Sequence, residues 1–144
     1  MKVWSDAAEG RFTLQRTPAR QVAAVRGRFS TPDGVYGQTM PHRDPLTGFL
    51  ADADVAIVIP SKTDNLDDRI VTYLTALHEL GHAVGMAHTD DFSDIMYSFR
   101  RPDDGERYFA AYRSRLGSAK DIGSPRATGL SAGDIETLRA LYGG

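Results

Sequence analysis

Eleven consecutive residues, His78-Glu79-Leu80-Gly81-His82-Ala83-Val84-Gly85-Met86-Ala87-His88, hold three of the four histidines in a chain of 144 residues. No other stretch constrains the fold as much. On a helix His78 and His82 are four apart, which stacks both imidazoles on one face at a spacing suited to two ligands of one metal ion. Glu79 lies one step round and can approach a water held by that ion. Gly85 readily takes the left-handed conformation that ends a helix and turns the chain sharply, so His88 can return from a loop as third ligand. Three protein ligands leave a tetrahedral zinc with one open position, the arrangement of a catalytic rather than a structural site. Ordinary surface or core histidines would account for a bare His-Glu-x-x-His. They do not account for Gly85 and His88 at these further offsets.

The flanking pattern agrees with a helix. Asp67 and Asp68 suit the positive end of a helix entered at Asn65, and Ile70 or Val71, Leu74, Leu77 and Gly81 follow at helical spacing. Upstream, residues 53–59 are rich in β-branched side chains and are stopped by Pro60, which predicts a strand. Shorter strands are expected at 11–16 and 21–29. Residues 30–48 are dense in glycine and proline and read as surface loops around at most one short strand at 35–39, with His42 in a loop. Downstream, Tyr108, Ala111, Tyr112 and Arg115 predict a helix over 106–116. Ser131 and Asp134 make a Ser-x-x-Asp start for a last helix, whose apolar stripe is Ile135, Leu138, Leu141 and Tyr142.

Composition narrows the function classes. A hydrophobic share of 41% and a charged share of 25% are ordinary for a folded domain, and the length suits a single core. A net charge of −2 with interspersed signs offers no basic face for nucleic acid, which is not an expected partner. No run reaches the roughly 18–20 apolar residues that span a bilayer, and the first residues lack the apolar stretch of a signal peptide. The absence of cysteine excludes disulfides, Cys–zinc sites and thiol catalysis.

The spacing His78-Glu79-x-x-His82-x-x-Gly85-x-x-His88 resembles the long zinc signature of the metzincins. Ser93-Asp94-Ile95-Met96-Tyr97 follows His88 where that clan places its Met-turn, with Met96 as the floor of the site. Leu130-Ser131-x-x-Asp134-Ile135 and Leu138-x-x-Leu141-Tyr142-Gly143 are similar to the closing helix of the matrixin branch. The resemblance implies an α+β, metzincin-like zincin domain: a small mixed twisted sheet with an antiparallel edge strand, a long active-site helix, a Met-turn and a C-terminal helix. It implies one domain over 1–144, with sheet and active-site helix in 1–85 and third histidine, Met-turn and final helix in 86–144. Residues 1–8, with Trp4, resemble the end of the family's first long helix, which implies a reduced or N-terminally truncated member.

Function follows from the same resemblance as a set of expectations. One catalytic zinc is held by His78, His82 and His88, and Glu79 serves as general base and then acid in peptide hydrolysis. Residues 53–59 become the edge strand that binds an extended peptide by strand addition, through Val55, Ala56 and Ile57. Their continuous apolar run fits a buried core strand as well. Tyr97 is expected to pack or to wall the cleft, and 98–129 to shape the pocket for the side chain after the scissile bond. Gly85 and Asp134 are structural, Asp134 as the anchor tying the last helix to the Met-turn or N-terminus; Gly133 stands where the family tends to have another aspartate. A second, structural zinc is not expected, since His42 is the only spare histidine, and calcium is left open. The expected partner is a peptide or protein substrate, the expected state a monomer, and a secreted location rests on the resemblance alone. The alternative is a zinc-containing binding module of the same fold with little or no turnover, which the presence of Glu79 argues against.

Overall fold

A single stretch of alternating and apolar residues, Leu50–Ile57, organises the sheet. The computed structural model describes residues 1–18, 25–28, 36–58 and 65–143, and in it three strands lie in the order β1-β3-β2. Strand β1 (Val25–Arg28) runs parallel to β3 (Leu50–Ile57), pairing Val25 with Ala53 and Gly27 with Val55. Strand β2 (Gly37–Arg43) runs antiparallel to β3, pairing Thr39 with Val55 and Pro41 with Ala53.

Strand β3 is therefore central, and the expectation that 53–59 forms the antiparallel edge is corrected: among the described residues that place belongs to β2. The reason is burial. Ala53, Val55, Ala56 and Ile57 are all buried, as a continuous apolar run requires when neighbours cover it. Most of β2 is exposed, and Pro41, which has no N–H to give a ladder, is tolerated only where one side of the strand is free. The segment read as loop thus contains a seven-residue strand, with His42 inside it and hydrogen-bonded from Nε2 to Asp54 Oδ2 at 3.0 Å. Val35 and Ile59 fall outside the described residues, as do 21–24 and 29 of the strand expected at 21–29. Residues 11–16 form no strand. Phe12 and Leu14 pack on the core there, and the Leu14 N–H donates to Ser5 Oγ at 2.8 Å instead of to a ladder.

Among the described residues four α-helices complete the fold. Helix α2 (Leu66–Ala83) begins at Asn65, whose side chain accepts from the Asp68 N–H at 2.8 Å, and carries Asp67 and Asp68 in its first turn. It ends where Gly85 takes φ +93° and the N–H groups of Gly85 and Met86 return to His82 O and Gly81 O. Helix α3 (Asp104–Arg113) starts two residues before its expected position, because buried Asp104 accepts from the Arg101 N–H at 2.9 Å and from Tyr97 Oη at 3.0 Å. Helix α4 (Ala132–Tyr142) has both halves of the Ser131/Asp134 capping box. The short α1 (Lys2–Ala7) packs on α4 and buries Trp4, whose indole N–H donates to Leu77 O at 2.9 Å. Trp4 and Met96 close on Gly81 of α2, where a Cβ would press into Met96 Sδ and stand 3.1 Å from Trp4 Cζ2. The main core joins Trp4, Ile70, Leu74, Leu77, Ile95, Met96, Tyr112 and Leu138. Among the described residues no helix is long and apolar enough to cross a membrane.

Candidate metal centre

The histidine triad is set by two local devices, the helical spacing of α2 and the turn at Gly85. His78 Nε2 lies 3.2 Å from His88 Nε2, and His82 Nε2 lies 3.1 Å from it. The ligand atoms of all three fall within 4.8 Å of one another. The opposite ring nitrogens are already engaged: His78 Nδ1 is 2.6 Å from Ile95 O, and His82 Nδ1 is 2.8 Å from Met86 O. A carbonyl can only accept, so both Nδ1 atoms carry their protons and both Nε2 atoms present bare lone pairs. At least two acceptors therefore converge on one point, where a cation satisfies them and a neutral packing contact does not. The donor set fits a divalent metal held by three neutral imidazoles, with backbone carbonyls orienting two of them.

The electrostatics favour the neutral rings that ligation needs. Burial pushes His78 down to about 4, helped by His82 and His88 and opposed by the hydrogen bond to Ile95. His88 is also lowered, first by burial and then by the charges of His82 and Arg100. Glu79, buried on the same helix, is raised by desolvation, while the Thr39 hydrogen bond and His82 pull the other way.

Below the triad, Met96 is fully buried under α2. Asp134 reaches from α4 to this turn: Oδ2 accepts from the Ile95 N–H at 2.9 Å and Oδ1 from the Met96 N–H at 3.4 Å. Since Ile95 O is the acceptor for His78, one carboxylate on the last helix supports a ring of the triad through a single residue. Asp94 accepts from Ser131 Oγ at 2.5 Å beside it. A Cβ at position 133 would stand 2.9 Å from Asp94 Oδ1, so glycine gives that carboxylate room.

A cavity of about 670 Å³ opens from the triad between β2 and α3. Its lining combines the polar His78, His82, His88 and Glu79 with the apolar and aromatic Leu74, Ile95, Phe99, Tyr108 and Phe109, and includes Arg101 and Glu106. Of the residues expected to bind substrate, none lines it. Val55, Ala56 and Ile57 belong to the buried central strand, and the strand that borders the cavity is β2, through Gly37, Gln38 and Thr39. Tyr97 also stands aside, its ring between Phe92 and Phe99 at 5.2 and 5.4 Å and its hydroxyl on Asp104. Phe99 takes the wall. Its backbone sits at φ +42°, a costly conformation for a bulky residue, and this turns the ring edge-on to His78 at 5.7 Å.

Thr39 and Tyr36 are cavity residues that sequence reasoning did not reach, and it reached Phe99 and Phe109 only as members of the segment 98–129. Strand alternation places Thr39 on the helix-facing side of β2 once the strand is known. The three aromatic residues carry no pattern that marks them.

No solved structure matches the chain. A family model does: the matrixin model matches residues 2–110. The match spans the sheet, α2, all three histidines and the turn holding Met96. It takes in the N-terminal region and stops before α4, the element whose motif is similar to the family's closing helix. By this match, the chain belongs to the matrixin family as a zinc metalloprotease-like domain.

Proposed function

We propose that this protein is a zinc-dependent endopeptidase, in which His78, His82 and His88 hold one catalytic zinc and Glu79 is the general base. The observation that carries this reading is the convergence of three imidazole Nε2 atoms, two of them with fixed tautomers, in one cavity with a buried carboxylate. Zinc bound there would supply Lewis acidity, lowering the pKa of a water toward neutrality and polarising the scissile carbonyl. The Glu79 carboxylate takes the proton of the attacking water, and burial, which raises its proton affinity, suits it to return that proton to the departing amine.

Substrate binding is assigned to β2. Its exposed side offers backbone groups to an extended chain, so a peptide adds as a further strand, interrupted at Pro41 where no N–H is available. The apolar lining of the cavity, Leu74, Ile95, Tyr108 and Phe109, receives a large apolar side chain next to the scissile bond. Of the segment 98–129 expected to shape this pocket, the residues that line the cavity fall within 98–109. A single zinc and an extracellular peptide or protein substrate belong to the same proposal.

The test is cleavage of an unbiased fluorogenic peptide library by zinc-loaded protein, beside chelator-treated and Glu79→Ala samples. Turnover should vanish with chelation and fall by about 10²–10⁴-fold in Glu79→Ala while one zinc per chain is retained. Cleavage that survives both treatments would sink the proposal. One tightly held zinc with no cleavage would favour a binding module instead.

A further inference from the structure

The edge strand touches the catalytic machinery at one point. Thr39 Oγ1 lies 2.6 Å from Glu79 Oε2 and 2.9 Å from the Glu79 carbonyl oxygen. A hydroxyl has one proton to give, and of these two acceptors the carboxylate is the stronger and the closer. The approach depends on the residue two places earlier. A Cβ on Gly37 would stand 2.6 Å from Glu79 Cγ and 2.7 Å from both Glu79 Oε1 and Thr75 Cγ2, so only glycine lets β2 lie this close to α2. Glu79 is 6% exposed, and among the described residues Thr39 supplies the hydrogen bond its carboxylate accepts. Oε1 lies against the Gly37 backbone, and among the described residues no donor reaches it.

A threonine on a strand commonly serves only to pack. Here its acceptor is a buried carboxylate that faces the cavity, and a valine would pack as well without the hydrogen bond. We infer that Thr39 is a positioning residue for peptide hydrolysis: its hydroxyl fixes the Glu79 carboxylate through Oε2 and leaves Oε1 as the oxygen that exchanges the proton with water and leaving amine. The inference rests on the peptidase reading of the site. It adds a link between binding and chemistry, because the strand proposed to pair with substrate also holds the base.

Three variants of the full chain decide it: Thr39→Val, which keeps shape and strand preference without the hydroxyl, Thr39→Ser, which keeps the hydroxyl, and Glu79→Ala. With zinc-loaded protein, Thr39→Val should lower kcat on the order of tenfold with KM within about twofold. Zinc content should stay near wild type, the melting temperature should fall by no more than about 3–6 °C, and Thr39→Ser should restore most of kcat. An unchanged kcat, a loss confined to KM, or no rescue by serine would overturn the inference. A double-mutant cycle of Thr39→Val with Glu79→Ala, read by urea unfolding of the metal-free chain, tests the contact without turnover. The unfolding constant should rise about tenfold on Thr39→Val when Glu79 is present and by much less when it is absent. Equal effects in both backgrounds would remove the contact. If wild type shows no turnover, the peptidase reading fails, and the cycle still decides whether Thr39 holds Glu79.

Discussion

The floor and the rim of the cleft are built by different physics. On the floor, His78, His82, Ile95, Met96 and Asp134 are joined by hydrogen bonds to buried backbone groups, each donor meeting an acceptor on another element. On the rim, Tyr36 meets Phe109 edge to face at 5.5 Å, Phe99 leans on Tyr108 at 5.3 Å, and among the described residues β2 pairs on one side only. Buried hydrogen-bonded groups allow one arrangement, because any other leaves a polar atom unpaired. Ring contacts are weaker and tolerate substitution. The half proposed to hold the metal is thereby specified tightly, and the half proposed to meet substrate is free to vary.

Three substitutions bear on that contrast. The largest effect is expected from breaking the floor at its support. Asp134→Ala strips the acceptor from the buried N–H groups of Ile95 and Met96 and the half-buried one of Ser131, and should destabilise the chain by about 3 kcal/mol in urea unfolding. It should also weaken zinc retention. A loss below about 1 kcal/mol would mean the floor is not held from α4.

A similar or slightly smaller effect comes from His78 in the metal-free chain. Burial holds its folded pKa at about 4, below the ordinary 6.5. Between those values the unfolded chain binds a proton that the folded chain refuses, so stability falls as pH drops from 6.5 toward 4 and this group adds no further loss below. The full contribution is on the order of 3 kcal/mol. Unfolding measured across that window should show a steeper pH dependence for wild type than for His78→Phe; equal slopes would show that the ring is more solvated than the structure has it.

The smallest effect belongs to the rim. Phe109→Ala should change KM by less than about tenfold and broaden the residues accepted beside the scissile bond, with zinc content unchanged. A loss of metal on this substitution would erase the distinction between the two halves.

The same division separates what the sequence made legible from what it did not. The triad, the end of α2 at Gly85 and the capping box of α4 are local: fixed spacings along one helix or across one turn write them into consecutive residues. Strand β2 is not local. Gly37 and Pro41 read as breakers, yet the glycine is needed for the approach to Glu79 and the proline is harmless on an open edge. The apolar run of β3 was compatible with two places in a sheet, and only the neighbouring strands decide between them. Tyr97 packs between Phe92 and Phe99, one of the two places expected for it, and the cavity wall falls to Phe99, whose left-handed backbone redirects its ring; phenylalanine gives no warning of such a conformation. Thr39 has no signal at all until its partner is in view.

Asp134 also bears on the order in which the molecule assembles. Its bonds to Ile95 and Met96 close loops of 39 and 38 residues. The carbonyl that orients His78 is therefore completed by a residue far downstream, and a contact of such range forms after the local turns and helices have been tried. A chain that has folded only as far as His88 holds all three histidines of the triad and no finished seat for the first of them; that seat is complete only when α4 docks.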